Sequence, residues 1–228
     1  MDHITKKIAD FGYAVADSLL PARLTVNLEH ELDQIDAYNF NRPVNHCGHL
    51  LHCNSITEIV AAPLLIQLVK SLSSYALFPV RAIILDKTEK ENWQLPWHQD
   101  TKIAVQQHID VSGYTNWSLE AGIWHVQPPP AVLEELIIIR VHLDPSTEKN
   151  GAMHIIPGSH KLGVLSSEQI SGVTQKGTQR TLSMKTHSIM VMRPLLLHDS
   201  PASQSASRRR VLHLEYGFEL NNGLCWYR

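Results

Sequence analysis

Apolar residues recur at two different periods along this chain, and the change of period divides it. Over residues 21–38, "PARLTVNLEHELDQIDAY", a proline stands at a helix start, and Leu24, Leu28, Leu32 and Ile35 follow at helical spacing. A second apolar helix is predicted from about Ala61 to Leu77, with Pro63 in its first turn. From Val80 onward the pattern shortens into β-rich runs: "VRAIIL", "ELIIIRVHL", "AMHIIP", "SIMVMRPLLL" and "RRVLHLEY". Turn segments such as "KNG", "PGSHKLG" and "DSPASQSAS" separate them. Short strands with no helices alternating between them indicate a sandwich or barrel. The Pro128-Pro129-Pro130 run reads as a stiff loop inside the domain, because the strand pattern resumes at once. The expectation is one domain over 1–228, with a mainly helical part to residue 79 and a β core from residue 80.

Composition narrows the function classes. A formal net charge of −2 lacks the basic excess that binds phosphate backbones, so nucleic acid is not an expected partner. No run approaches the length of a membrane span, and "MDHITKKIADFGY" lacks the apolar centre of a signal peptide. Cys47, Cys53 and Cys225 have no paired spacing, which suits a reducing compartment; the expected place of work is the cytoplasm. Histidine is the unusual count, at 14, and neutral imidazole serves both proton transfer and metal ligation. Spacing decides which histidines matter.

In "LPWHQDTK", His98 and Asp100 are two residues apart, so on an extended segment both side chains reach one ion. His198 ends the run "MVMRPLLLHDS" and is the best third ligand; the bland alternative is a strand-end histidine bonded to a loop. Together the three would form the two-histidine, one-carboxylate facial triad that holds non-heme iron and leaves positions open for ligands. Eleven residues past His198, Arg209 shares one strand face with Val211 and His213. An inward arginine beside a metal suggests an acid as ligand, whereas an exposed basic cluster would be merely solvated. Arg140, inside "ELIIIRVHLD", must find either a ligand carboxylate or an internal acid, because a buried unpaired charge is costly. The His/Cys-rich segment 46–53, "HCGHLLHC", lacks the second ligand pair of a zinc module and reads as a loop or core filling.

These residues resemble, over nearly the whole length, the phytanoyl-CoA dioxygenase family of iron(II)- and 2-oxoglutarate-dependent oxygenases. The likeness runs from "FGYAVADSLLPARL" through "WHQD" and "VHLDPSTEKNGAMHIIPGSHKLG" to "PLLLHDS" and "RRRVLHLEY". The segment "NGAMHIIPGSHK" is the most family-specific piece, though its turns do little chemistry in this reading. The resemblance implies a jelly-roll (double-stranded β-helix, cupin-like) core with N-terminal helices packed outside it. It implies Fe(II) on His98, Asp100 and His198, and 2-oxoglutarate on Arg209, with Gln99 and Ser200 at positions that contact the cosubstrate. Arg140 stands where the best-known relative has tryptophan, so it touches either 2-oxoglutarate or an acidic substrate. "THSIMV" departs from the Gly-Asp turn that relatives often carry.

The implied reaction consumes O2, splits 2-oxoglutarate into succinate and CO2, and hydroxylates an unactivated C–H bond of a small-molecule or carrier-bound metabolite. Asp100 leaves no vacant ligand position for a halide, which disfavours halogenation. Trp97, Trp124, His125 and Gln127 are the candidates for substrate contact, against core packing for each aromatic. The alternatives are a cupin-like metalloenzyme that does not use 2-oxoglutarate and a non-catalytic family member. The expected assembly is a monomer or homodimer.

Overall fold

The computed structural model describes residues 2–17, 19–38 and 50–228. Four helices precede most of the strands: α1 (Asp2–Phe11), α2 (Ala22–Tyr38), α3 (Asn54–Val60) and α4 (Pro63–Lys70). Leu24, Leu28 and Leu32 of α2 are buried, as their spacing predicts; the side chain of Ile35 lies outside the described residues. Pro63 begins α4, but the helix stops at Lys70 rather than Leu77. There Ser71 caps the last turn, with its hydroxyl donating to the Leu68 carbonyl. Of the His/Cys-rich segment, residues 46–49 lie outside the described residues, and Leu50–His52 form one 3-10 turn.

Among the described residues the strands form three antiparallel sheets. The largest has the order β1 (Tyr13–Ala16), β10 (Ile189–Met192), β7 (Ile137–His142), β12 (Arg209–Gly217), β2 (Phe78–Lys87). Strand β1 comes from the N-terminal part, so that part is not helical throughout; its Ala14 is buried and completes the sheet edge beside Val191. A second sheet has the order β3 (Leu95–His98), β11 (His198–Ser200), β8 (His154–Ile155), β9 (Arg180–Thr181). A third joins β4 (Ile103–Val105), β6 (Ile123–Gln127) and β5 (Thr115–Glu120). The first two sheets form the jelly roll, and the helices lie outside it.

Period two explains which face each sheet residue takes. On the large sheet, Ala82, Ile84, Ile139, Val141, Leu212 and Leu214 pack under the helices in the main core. The alternate positions Ile138, Met190 and Met192 face inward and meet Ile155, Met184 and Leu196. Arg140, His142, Arg209 and His213 share that inward face, buried in the jelly roll. On β2 the inward residues Arg81, Ile83 and Leu85 are only half-buried while Ala82 and Ile84 are sealed, so the interior is open along this strand.

Two helices break the purely β pattern expected after residue 80. Pro130 starts the helix α5 (Pro130–Glu135), because a proline at the first helical position loses no hydrogen bond; the three prolines are a helix entry, not only a stiff loop. The helix α6 (Ser167–Lys176) is set by a capping box in which Ser166 accepts from Gln169 N and Gln169 reaches back to Ser166 N. It buries no residue fully, so apolar periodicity carried no signal for it. The run "SIMVMRPLLL" is not one strand, since β10 ends at Met192 and residues 193–197 turn the chain toward β11.

Candidate active site

The two histidines are brought together by strand pairing. His198 stands directly opposite His98 in the β11–β3 ladder, and their ring centroids lie 4.2 Å apart. Strand β3 ends at His98, and the Asp100 backbone N–H then donates to the Pro194 carbonyl at 2.9 Å, which turns its carboxylate toward both rings. Asp100 Oδ1 lies 3.8 Å from His98 Nε2, and Oδ2 lies 3.7 Å from His198 Nε2. One atom from each of the three residues falls within 4.8 Å of the others.

Both rings are held in the tautomer a metal needs. His98 Nδ1 lies 2.7 Å from the Pro96 carbonyl, and His198 Nδ1 lies 2.9 Å from the Leu196 carbonyl. A carbonyl only accepts, so each Nδ1 carries the proton and each Nε2 presents a lone pair to the shared point. Burial, only partly offset by the Asp100 carboxylate, pushes His198 down to about 4 and keeps that lone pair free. For Asp100, burial pushes upward, but the neighbouring His198, His213, His98 and Arg140 outweigh it and hold the carboxyl below its ordinary range. Asp100 Oδ2 is buried without a hydrogen-bond partner, as an oxygen awaiting a cation would be.

Beyond the triad, the inward face carries a cluster of cations. Arg209 is 1% exposed; it donates to the Gly151 carbonyl and, at 3.3 Å, to Ser200 Oγ. Lys87, directly opposite Arg209 in the β12–β2 ladder, is 0% exposed and donates to Ser200 Oγ at 3.1 Å and to the Pro201 carbonyl. Its ammonium also sits 4.2 Å from the centroid of the Trp93 ring. Arg140 donates to His213 Nδ1 at 3.2 Å. Among the described residues none of these three cations forms an ion pair, and the Nε atoms of Arg140 and Arg209 are buried without partners. Burial and the neighbouring Arg209, against a weaker pull from Asp199, push Lys87 down to about 7. His142, buried beside Arg140 and Arg209, is held well below the usual imidazole range by burial and by those two charges. Its Nδ1 meets Ser146 Oγ at 3.0 Å, while Nε2 has no partner. Buried cations that form no ion pair among the described residues describe a cradle for an anion.

Each sequence candidate has a definite place. Ser200 bridges Lys87 and Arg209. Gln99 is spent on structure: its Nε2 donates to the Gly163 and Leu195 carbonyls, both at 2.8 Å, and its Oε1 accepts from Leu165 N. Both amide hydrogens thereby anchor the loop beside the triad, while Oε1 keeps a second lone pair. A cavity of about 310 Å³ opens beside Asp100, and of the four substrate candidates only His125 lines it. Trp97 instead stacks toward His154, Trp124 packs near His108 and Trp117, and Gln127 accepts from Asn116. Sequence reasoning missed Lys87, Trp93 and His142. The signal for Lys87 was a lysine ending an alternating apolar strand. Gly151 also does more than turn the chain. At φ 77° its carbonyl holds Arg209, and a side chain there would run into Lys87 and the Pro201 carbonyl.

A jelly roll that turns two histidines and one carboxylate toward a common point inside it is the architecture of non-heme metal oxygenases. More narrowly, the chain belongs to the phytanoyl-CoA dioxygenase family, whose family model matches residues 8–211. It is thus a 2-oxoglutarate-dependent dioxygenase. No curated protein matches the sequence. Among solved structures, EctD from S. alaskensis with 2-oxoglutarate and 5-hydroxyectoine is similar at a TM-score of 0.72 and 16% identity, over 96% of this chain and 76% of that one. HygX from Streptomyces hygroscopicus, with nickel and 2-oxoglutarate bound, gives 0.71 at 13% identity, over 96% and 88%. EvdMO1 gives 0.69 at 16% identity; this chain spans 50% of its length.

Proposed function

We propose that the protein hydroxylates an unactivated C–H bond of a small molecule, using Fe(II), 2-oxoglutarate and O2 and releasing succinate and CO2. The observation that carries this reading is the placement of an unpaired cation cradle next to a metal-ready triad in one interior. His98 Nε2, His198 Nε2 and an Asp100 oxygen would hold the iron. Arg209, Ser200 and Lys87 would grip the far carboxylate of 2-oxoglutarate, with Arg140 and His142 along its length. When bound, the iron and the cosubstrate supply the activation of O2 and couple loss of CO2 to oxygenation of the C–H bond. The chain's own residues orient these partners and exclude water. Leu133, Leu136 and Ile138 give the space beside Asp100 an apolar side for a C–H bond to lie against. Asp100 occupies the position a halide would need, which favours hydroxylation over halogenation.

Among the described residues no helix is long and apolar enough to cross a membrane. Cys225 is an exposed free thiol, which supports a reducing, cytoplasmic setting. The test is anaerobic addition of Fe(II) and 2-oxoglutarate. A weak visible charge-transfer band is expected in the intact protein and not in His98→Ala; an intact protein without the band refutes the reading. Arg209→Gln separates this from a metalloenzyme that does not use 2-oxoglutarate: it should abolish succinate formation, and persistence of turnover would favour the other chemistry.

A further inference from the structure

The cavity beside Asp100 has two unlike walls. Ile103, Leu133, Leu136, Ile137 and Ile138 make one wall aliphatic. The other carries Arg81, Glu215, Lys102, Glu120 and His125, two opposite-charge pairs around an imidazole. Arg81 makes a single contact with Glu215, at 3.2 Å through Nη1, and among the described residues its remaining guanidinium donors have no partner. Glu120 binds Ser118 and Lys102 through Oε1, and its Oε2 has no contact among the described residues. His125 is 7% exposed, and its Nδ1 lies 3.1 Å from the Ile123 carbonyl, so Nδ1 carries the proton and Nε2 remains as a free acceptor. The open groups are therefore a cationic donor fork, a carboxylate and a neutral acceptor.

We propose that this cavity takes a small zwitterion, an amino-carboxylate with an aliphatic body, as the substrate of the reaction proposed above, on which this inference rests. The carboxylate engages the free edge of Arg81, the ammonium lies between Glu120 and His125, and the aliphatic body lies along Leu136 and Ile138 beneath the metal. A volume of about 310 Å³ is at the low end of ligand pockets, which suits a molecule of amino-acid size and not a long acyl chain or a carrier arm. A lone anion would meet Glu120 and Glu215, and a lone cation would meet Arg81 and Lys102. A ligand bearing both charges complements the open Arg81 donors and the open Glu120 oxygen at once. The nearby Trp97 and Trp124 point elsewhere, so the wall offers no ring for stacking a sugar or a base.

The test measures succinate release by the Fe(II)- and 2-oxoglutarate-loaded enzyme. The probes are free aliphatic and cyclic amino acids, each matched with its N-acetyl derivative and its methyl ester. The free amino acids should stimulate release above the substrate-free rate, and each blocked form, lacking one charge, should raise KM about 10- to 100-fold. R81Q should raise KM for the zwitterion by a similar factor, and E120Q, an exposed position, should narrow the gap between the free and N-acetylated forms. The charge-transfer band in each variant reports an intact metal and cosubstrate site. Strongest stimulation by an uncharged or singly charged compound, no stimulation by any zwitterion, or unchanged KM in both variants overturns the proposal. Loss of the band in the intact protein instead refutes the underlying reading.

Discussion

Lys87 gives the most discriminating check on the anion cradle, because its titration lies in an accessible range. Burial, then the charge of Arg209 on β12, hold it down to about 7 against the pull of Asp199 on β11, with a smaller push from Arg140 on β7. An entering dianion supplies the missing counter-charge and favours the ammonium form. If only that form binds, the apparent Kd is the intrinsic value divided by the protonated fraction: about one half at pH 7, one eleventh at pH 8 and one hundredth at pH 9. Binding of 2-oxoglutarate should thus weaken about fiftyfold from pH 7 to 9, with uptake of about 0.9 proton at pH 8. Isothermal calorimetry on Ni(II)-loaded protein, repeated in buffers of different ionisation enthalpy, reads both quantities. Lys87→Met should bind more weakly at pH 7 and lose the slope. A wild-type Kd that stays level across this range, or an equal slope in the variant, refutes the reasoning. The same lowered pKa fixes the sign for the ligand-free fold. The unfolded lysine holds its proton up to about 10.4 while the folded one releases it near 7, so stability rises with pH across that window.

His142→Ala should raise the Kd for 2-oxoglutarate about 5- to 20-fold, because it removes a buried group whose Nε2 has no other partner; equilibrium dialysis with Ni(II)-loaded protein checks it. Leu212→Ala, at a fully buried position between the large sheet and the helices, should lower the unfolding free energy by about 2–5 kcal/mol in a urea titration. Ser166→Ala removes the cap of α6 and should cost about 1 kcal/mol in the same titration, while the charge-transfer band stays unchanged.

His198 as third ligand and the choice of Arg209 rested on order and spacing shared with a known family, whereas His98 with Asp100 and Arg209 with His213 became candidates because strand alternation assigns faces without knowledge of partners. The large sheet was legible for the same reason, since β2, β7 and β12 carry long apolar runs. What escaped depends on pairing across distant strands. Lys87 gains its meaning only from lying opposite Arg209, 122 residues away, and His142 only from sharing an inward face with Arg140. The structural part of Gln99 was also hidden, because the strand ends one residue earlier and its amide holds three backbone groups. Helix α6 escaped because its signal is a cap and not a buried stripe.

The β2–β12 pair also explains why two acids do not compete for one place. Lys87 and Arg209 face each other at one end of the ladder, and Arg81 and Glu215 at the other, six residues on, or about 20 Å along the strand. His213 lies between them and joins the ends: Arg140 donates to its Nδ1, so its proton sits on Nε2, 3.7 Å from Glu215 Oε1. Glu215 in turn accepts from Arg81. The far end is thus already half neutralised, whereas Lys87 and Arg209 have no carboxylate partner among the described residues. A dianion gains most where the cations are bare, and a carboxylate at Arg81 is tolerated only with a positive group beside Glu120. Succinate, also a dianion, should consequently compete with 2-oxoglutarate and not with a zwitterion at Arg81. The order of charges along one strand pair would thus separate a dianion at Lys87 and Arg209 from a zwitterion at Arg81 and Glu215.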